Sequence, residues 1–199
     1  MTPLPRPPQS GDHATLSYTT TAGLMAELSP YVSQGLAAGD LVIHVCHDHT
    51  PAQTRKALAA LGPAAHQALH DGRLLVMSAD EAFFRNGRFN VEESLNVFAS
   101  VLRDAVARGF PRIRAVVEMT YLLAELPGIE RAVEFEARAN EEIFPRHPFI
   151  CECPMKRERD ARGIWAGVLA SHPLLYQDGL MRANPAFGRH HACARNGWR

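Results

Sequence analysis

The sequence has no excess of charge of either sign. Its 199 residues include 21 Lys and Arg and 21 Asp and Glu, which gives a formal net charge of zero. Binding to a nucleic-acid backbone or an anionic membrane is driven by a surplus of positive charge that releases counterions. The composition therefore predicts no direct nucleic-acid partner and no membrane partner.

Long hydrophobic segments are also missing. The hydrophobic fraction is 46%, but no uninterrupted apolar run approaches the roughly 20 residues that a membrane-spanning helix needs. The proline-rich leader, residues 1–12, is predicted to be disordered and lacks the apolar segment and cleavage site of a secretory signal. Four cysteines are too few to indicate a disulfide framework, so the sequence predicts a soluble protein of the reducing cytoplasm.

Motifs of catalysis and phosphate binding do not occur. A P-loop needs glycines that present backbone N–H groups, a lysine for the outer phosphates and a hydroxyl for magnesium, and no G-x-x-x-x-G-K-[ST] is found. There is also no G-x-G-x-x-G after a strand, no H-E-x-x-H, no G-x-S-x-G and no paired C-x-x-C. The sequence thus predicts a protein that is not an enzyme and holds no cofactor.

What the sequence does have is an alternation of short apolar runs and amphipathic stretches. The pattern predicts strands at residues 41–46, 74–77, 113–119 and 149–153, and helices at 21–38, 51–61, 90–109, around 129–133 and at 161–170. Pro30 predicts a break inside the first helix. This alternation is typical of a mostly parallel sheet with helices on both faces, and the length suits one domain, 13–187, followed by a flexible tail, 188–199.

Ligands of parallel α/β sheets bind beyond the carboxyl ends of the strands. Glu118 closes an apolar strand, where a charge is costly unless it is paired or hydrated. Its carboxylate is predicted either to contact a ligand or to make a structural salt bridge or helix-cap bond. The segments expected to follow the strands are 46–49, 78–81, 118–121 and 151–154. The residues predicted to line a pocket, in these segments or next to them, are His44, Cys46, Glu118, Tyr121 and Cys151.

A dense group of donor atoms occurs at residues 44–49, where His44, Cys46, His47 and His49 offer nitrogen and sulfur ligands that zinc, iron or haem use. Strand alternation points His44 and Cys46 to one face and His47 to the other, so a single metal could take only some of them. Pocket lining by His44 or Cys46 is the favoured interpretation. A metal or haem site, or an enzyme that uses one, is the alternative.

Three further residues have a structural and a functional interpretation. Cys151 and Cys153 share a face of one strand, which suits soft-metal binding or thiol chemistry, but free cysteines are among the most buried residues and core packing is favoured. His172 stands before Pro173 at the end of the last predicted helix. There a capping role at the negative end of the helix dipole is favoured over ligand binding.

Short motifs spread over residues 13–187 resemble those of one known family, the MEDS domains, which are sensory domains of methanogen and methylotroph regulators. The motifs are YTTTAGL at 18–24, YVSQGLAAGD at 31–40, LVIHV at 41–45, DGRL at 71–74, RAVVEM at 114–119, LL at 122–123, EFE at 134–136 with Asn140, FIC at 149–151, SHP at 171–173 and NP at 184–185. Each motif is short, and their order and spacing make the match specific.

The resemblance implies a RecA- or KaiC-like core whose P-loop, at residues 13–21, is degenerate. It places His13 and Tyr18 in the pocket, where they would offer hydrogen bonds to a ligand. It also implies sensing of small organic molecules, such as simple hydrocarbon derivatives. Family members are commonly fused to a DNA-binding or histidine-kinase module, and no room for one is expected within this sequence.

The sequence therefore predicts a non-catalytic small-molecule sensing domain of prokaryotic signal transduction or transcriptional regulation. The expected partners are a small-molecule ligand and a protein, namely a kinase, a regulator or an anti-sigma system, and a homodimer stays open. Besides the metal or haem alternative at His44–His49, a third hypothesis is a ligand-free interaction module that partners a kinase or anti-sigma factor.

Overall fold

A seven-stranded sheet forms the middle layer of the protein. The computed structural model describes residues 4–159 and 164–188. The strands are β1 His13–Tyr18, β2 Leu41–Cys46, β3 Leu74–Ser78, β4 Ile113–Val117, β5 Phe149–Lys156, β6 Leu174–Gln177 and β7 Leu180–Ala183. Their order is β3-β2-β4-β5-β1-β6-β7, and every neighbouring pair is parallel except the β6–β7 hairpin. The predicted α/β class with a mostly parallel sheet is confirmed.

Helices cover both faces of this sheet. They are α1 Thr21–Ala37, α2 Pro51–Ala59, α3 Pro63–Asp71, α4 Ala79–Phe83, α5 Val91–Ala107, α6 Ala132–Glu142 and α7 Ile164–Ser171. Apolar side chains of α1, α2 and α3 pack on one face, and those of α4 to α7 pack on the other. Across the described ranges, no helix combines the length and the apolar character that crossing a bilayer requires.

Local sequence signals explain where two of the helices start. Thr50 accepts a hydrogen bond from the backbone N–H of Gln53, and the Gln53 side chain accepts one from the backbone N–H of Thr50. This reciprocal cap satisfies two donors that a helix start leaves unpaired. Asn90 likewise accepts the N–H of Glu93 at 3.1 Å and starts α5.

Two helix predictions need correction. Pro30 does not interrupt the first helix, because buried side chains on both sides of it, Leu28 and Tyr31 among them, hold α1 against the sheet. The helix predicted to run to residue 61 ends at Ala59, and Gly62, with a φ of +136°, separates it from α3, which was not predicted.

The strand predictions change in four places. β1 was not predicted, and the strand predicted at 113–119 ends at Val117, before the 3₁₀ helix Met119–Leu123. β5 continues to Lys156 because it pairs with β1 along the full length of β1, so residues 151–154 lie inside a strand and not beyond its end. The β6–β7 hairpin, which turns at Asp178 and Gly179, was not predicted. Of the predicted final helix, residues 161–163 lie outside the described residues, as do 1–3 of the leader and 189–199 of the tail. Within the leader, Arg6 bridges to Met181 of β7 and pairs with the buried Asp12.

Candidate functional site

The predicted ligand-binding residues do not form one site, because the sheet separates them. His13, Tyr121 and Cys151 lie on the side of α4 to α7. Cys46, and His44 two positions before it on β2, lie on the other side, where Cys46 packs with α2 and α3. Tyr18 belongs to a third group of side chains under α1.

Glu118, at the carboxyl end of β4, holds the loop that follows β2. One carboxylate oxygen, Oε1, lies 3.1 Å from His44 Nε2, and the other, Oε2, accepts the backbone N–H groups of His47 and Asp48 at 2.9 and 2.8 Å. Burial raises the pKa of Glu118, but these hydrogen bonds outweigh burial and the pKa is lowered from its ordinary value of 4.5. Glu118 is therefore an ionised hydrogen-bond acceptor whose two oxygens are both occupied within the fold.

The donor atoms of residues 44–49 have separate neighbours. The Cys46 thiol donates to the carbonyl of Met77 at 3.3 Å, His47 Nδ1 lies 3.1 Å from the Thr120 hydroxyl, and His49 Nε2 lies 3.0 Å from the Thr21 hydroxyl. In the described part of the chain, two groups of three potential metal ligands have their donor atoms within 4.8 Å of one another. Both groups lie at another location, and neither includes a residue of 44–49.

That other location is a buried polar cluster between the sheet and α6. His13 Nε2 lies 3.5 Å from Glu136 Oε2 and 3.5 Å from Cys153 Sγ. Cys153 Sγ is in turn 3.5 Å from Cys151 Sγ. The Tyr121 hydroxyl donates to Glu136 Oε1 at 3.2 Å. We refer to His13, Glu136, Cys151, Cys153 and His172 as the His/Cys/Glu cluster.

Strand register and helix position bring this cluster together. β1 and β5 are adjacent and parallel, with His13 opposite Cys151 and Thr15 opposite Cys153. α6 lies over these strands and supplies Glu136. His172 follows α7, and its Nε2 lies 3.9 Å from Glu136 Oε2.

Hydrogen bonds outside the cluster orient both imidazole rings. Asn140 donates its amide N–H to the carbonyl of Ser171 at 2.8 Å, so its Oδ1 faces His13 Nδ1 at 2.9 Å and that nitrogen carries the proton. His172 Nδ1 lies 2.6 Å from the carbonyl of Val168 in the last turn of α7, as the capping interpretation predicts. In both rings Nε2 is therefore the unprotonated nitrogen and points into the cluster.

Burial keeps both histidines of the cluster uncharged near neutral pH. It lowers the pKa of His13 to about 4, against the opposing hydrogen bond of Asn140. It lowers the pKa of His172 well below its ordinary value, so this residue caps α7 as a neutral ring and not as an imidazolium. Burial also raises the pKa of Glu136 to about 7, against the hydrogen bond from Tyr121. The short contacts between Glu136 and the two histidines are therefore not ion pairs at neutral pH.

A small cavity adjoins the cluster. Its volume is about 20 Å³, which is room for about one water molecule. His13, Glu136, Cys151 and Cys153 form its polar side, and most of the remaining wall consists of five phenylalanine rings, Phe83, Phe98, Phe135, Phe144 and Phe149. The cavity lies under α6 and not beyond the carboxyl ends of the strands.

Sequence reasoning missed part of this cluster. It selected His13, Tyr121 and Cys151, but it left out Glu136 and favoured structural roles for Cys153 and His172. One signal for Glu136 was available, since Glu136 and Asn140 are four residues apart in the motif at 134–140 and so share a helix face. No local signal in the sequence joins α6 to residues 13 and 172.

Comparison with known proteins assigns the chain to a family. The family model described as methanogen/methylotroph, DcmR sensory domain, abbreviated MEDS, matches residues 12–173. The transcriptional repressor DcmR of Methylorubrum extorquens (strain DSM 6343 / CIP 106787 / DM4) is 26% identical over 167 residues, which cover 83% of this chain and 60% of the repressor. Because the family model covers far more than half of the sequence, the chain belongs to the MEDS family of sensory domains.

Proposed function

We propose that the chain is a non-catalytic sensor that binds a small organic molecule, such as a simple hydrocarbon derivative, in the phenylalanine-lined cavity under α6. The observation that carries this proposal is a buried apolar cavity with polar groups on one side only. Ligand sites are typically apolar, with a few polar groups that fix orientation. The family's description as a sensory domain supports a sensing role.

The size of the cavity limits the ligand. A cavity of about 20 Å³ suits a molecule of very few heavy atoms unless the phenylalanine rings or α6 move. Movement of α6 would give the sensor its second state, because a ligand shifts an equilibrium only through its different affinity for two states. The polar side, His13 and Glu136, would orient a hydroxyl, carbonyl or similar group.

Two features support the absence of catalysis. In the metal-free protein, burial raises the pKa of both Cys151 and Cys153, which keeps them as thiols, whereas the thiolate is the nucleophile in cysteine chemistry. β1 ends at Tyr18 and α1 begins at Thr21, so only Thr19 and Thr20 connect them, and two residues are too few for a phosphate-binding loop of the P-loop length. This short connection supports a degenerate P-loop. Glu118 at the end of β4, in a parallel sheet covered on both faces, supports a RecA-like ancestry.

The regulatory output of the chain is proposed from its similarity to DcmR. DcmR is a transcriptional repressor, and the chain spans 60% of its length. We therefore place the chain in transcriptional regulation, where a protein partner would read the position of α6.

A thermal-shift screen with a pocket-filling variant tests the proposal. Alcohols, aldehydes, thiols and halides of one to four carbons are screened against the unmodified chain. A compound at one hundred times its dissociation constant adds about 2.7 kcal/mol, which raises Tm by about 5 to 10 °C in a chain of this size. Ala139→Leu fills the cavity from α6, so the Tm increase should be lost.

The matched control is Ala65→Leu, which overfills the core on the opposite face of the sheet. Each substitution is expected to lower stability by about 1 to 3 kcal/mol, but Ala65→Leu should keep the ligand-dependent increase in Tm. A compound that stabilises Ala139→Leu as much as the unmodified chain does not bind in this cavity. A screen without any stabilising compound contradicts the sensing proposal.

A further inference from the structure

The His/Cys/Glu cluster has the spacing of a metal site. The Sγ atoms of Cys151 and Cys153 are 3.5 Å apart, and Cys153 Sγ and His13 Nε2 are also 3.5 Å apart. In tetrahedral zinc sites with Zn–S of about 2.3 Å and Zn–N of about 2.0 Å, neighbouring ligand atoms are separated by about 3.5 to 3.8 Å. Two of the three pairs of donor atoms therefore already lie at the distance that one tetrahedral ion imposes, and the third pair, Cys151 Sγ and His13 Nε2, lies within 4.8 Å.

The hydrogen-bonding state of the histidines is also that of metal ligands. A ligating imidazole usually donates its other N–H to a carbonyl or carboxylate, which fixes the ring. His13 does so to the Asn140 side chain and His172 does so to the Val168 carbonyl. His172 Nε2 is buried and has no hydrogen-bond partner among the described residues. Its lone pair faces Glu136 Oε2 at 3.9 Å, which is beyond hydrogen-bond distance, and a cation close to these two atoms would interact with both.

We propose that His13, Cys151 and Cys153 bind one soft divalent metal ion such as Zn²⁺, with Glu136 and His172 beside it. The two cysteines bind as thiolates, and their two protons pass to solvent as the ion binds. The two thiols select a soft ion over Mg²⁺ or Ca²⁺, which prefer oxygen ligands. The site differs from the metal alternative predicted at residues 44–49 in all of its ligands. It also accounts for five side chains with potential metal-ligand atoms in one place beside a cavity lined mainly by phenylalanine.

The remaining coordination position would face the ligand cavity, because His13, Cys151 and Cys153 all line its polar side. Three protein ligands with one open position characterise zinc sites that bind exogenous molecules. This part rests on the proposed sensing function. It narrows the sensed molecule to one with a thiol, amine or alcohol group on a short apolar body, since such a group would bind the metal while the carbon chain contacts the phenylalanine rings.

Cobalt substitution tests the site in the unmodified chain. Purified, reduced and metal-stripped protein is titrated with Co²⁺, and one equivalent is expected to give the intense visible bands of tetrahedral cobalt and a thiolate-to-cobalt charge-transfer band. X-ray absorption of the Zn²⁺ form should show two sulfur ligands at about 2.3 Å. Both measurements use the native sequence, so they do not depend on a variant that folds. An octahedral cobalt spectrum, or no sulfur ligand, would overturn the proposal.

Variants then assign the ligands. Cys153→Ser should abolish the charge-transfer band and weaken Zn²⁺ binding by at least about 100-fold, measured in competition with a chromophoric chelator, since outer-shell partners alone contribute about 10- to 100-fold. Asn140→Ala should weaken Zn²⁺ binding within that 10- to 100-fold range through loss of the His13 orientation.

Cys46→Ser is the matched control, a buried cysteine on the opposite face, and should keep the spectrum. Loss of the bands in Cys46→Ser with retention in Cys153→Ser would move the metal to residues 44–49.

The open position has its own test. Ethanethiol added to the cobalt form should shift the visible bands while cobalt stays bound after gel filtration, and unchanged bands would contradict an open position. The thermal-shift screen is repeated on metal-free protein. If a compound stabilises the metal-free protein, recognition through the metal is refuted but the sensing proposal stands. If the protein binds one equivalent of metal and no compound changes Tm or the spectrum, the sensing proposal is refuted and the metal site stands.

Discussion

Three buried glutamates show how the donors around a carboxyl group set its state. Glu118 accepts two backbone N–H groups and contacts His44, and its pKa is lowered. Glu136 accepts one tyrosine hydroxyl, and burial raises its pKa to about 7. Glu152 of β5 has no hydrogen-bond partner for either oxygen within the described residues, and burial raises its pKa well above the ordinary value. Burial alone thus does not determine charge in this protein.

Glu118→Gln is expected to destabilise the fold by about 2 to 3 kcal/mol at pH 7, because charge-assisted hydrogen bonds are replaced by neutral ones. The folded pKa of Glu118 is lowered below 4.5, so its contribution is complete above that pH and is lost as the pH falls through the folded pKa. The difference in unfolding free energy between variant and native chain should therefore shrink on acidification. Urea unfolding from pH 7 to pH 3 measures it.

The control for this substitution is Glu130→Gln, at an exposed position, which should change stability by less than about 0.5 kcal/mol at any of these pH values. A constant difference across the pH range would show that the ionised carboxylate of Glu118 contributes nothing specific.

Gly128 is required at the start of the segment that leads into α6. Its φ is +90°, and a Cβ there would lie 2.1 Å from the backbone oxygen of Phe89. A backbone atom held in place by the Phe89 N–H to Pro127 carbonyl hydrogen bond cannot move aside as a flexible side chain does. Gly128→Ala should therefore lower the unfolding free energy by at least about 3 kcal/mol.

Gly39→Ala serves as the control for Gly128→Ala, because it introduces backbone strain without a steric clash at the new Cβ. Gly39 has a similar φ of +80° and open space at the Cβ position, so the loss should be only about 1 to 2 kcal/mol. Urea unfolding of both variants measures the contrast. Equal losses would mean that the contact with Phe89 is relieved elsewhere.

At the scale of elements, α6 connects the polar cluster to the aromatic core. Its inner face carries Phe135, Glu136 and Ala139, all of which line the cavity. The Phe135 ring lies edge-on to Phe83 and Phe89, with centroids 5.8 and 5.9 Å away. α6 supplies three of the residues that line the cavity, whereas α4 and α5 supply one each, Phe83 and Phe98, which makes α6 the element expected to move.

Phe135→Ala should enlarge the cavity and lower stability by about 3 to 5 kcal/mol. Enlarged apolar cavities stay dry and bind benzene or xenon, so saturating benzene should restore part of the lost Tm in the variant and not in the native chain. Phe187→Ala is the control, since Phe187 is 47% exposed and its loss should change stability by less than about 0.5 kcal/mol. A variant that collapses, with no response to benzene, would show that α6 closes the space by itself.

At the scale of the molecule, the buried apolar side chains form three clusters, and all three pack against the same sheet. Leu28 of α1 and Phe135 of α6 pack on opposite faces of it, so neither face is expected to keep its structure without the other. Small single domains usually unfold in one cooperative transition. The two layers of helices should therefore unfold together.

Leu28→Ala and Phe135→Ala should each lower the midpoint of the same urea transition. Far-ultraviolet and near-ultraviolet circular dichroism should give coincident curves in both variants. The losses in unfolding free energy should add to within about 0.5 kcal/mol in the double variant, because the two sites do not share partners. Separate transitions for the two probes would show that the two faces fold as independent units.

Local chemistry in the sequence determined the elements. The uninterrupted apolar run of β2 and the Thr50 cap of α2 depend on residues within a few positions of each other, so both were predictable. The motif order was sufficient to identify the family. The break predicted at Pro30 was wrong because packing on the sheet outweighed a local preference.

The tertiary structure alone decided which chemical groups meet. His13 and Cys151 are 138 positions apart and become neighbours only because β5 pairs with β1. The same sheet separates Cys151 from Cys46, although both were predicted for one pocket. Strand order depends on packing between segments distant in sequence, and no local pattern encodes it, so the residues of the cluster were visible in the sequence while their assembly under α6 was not.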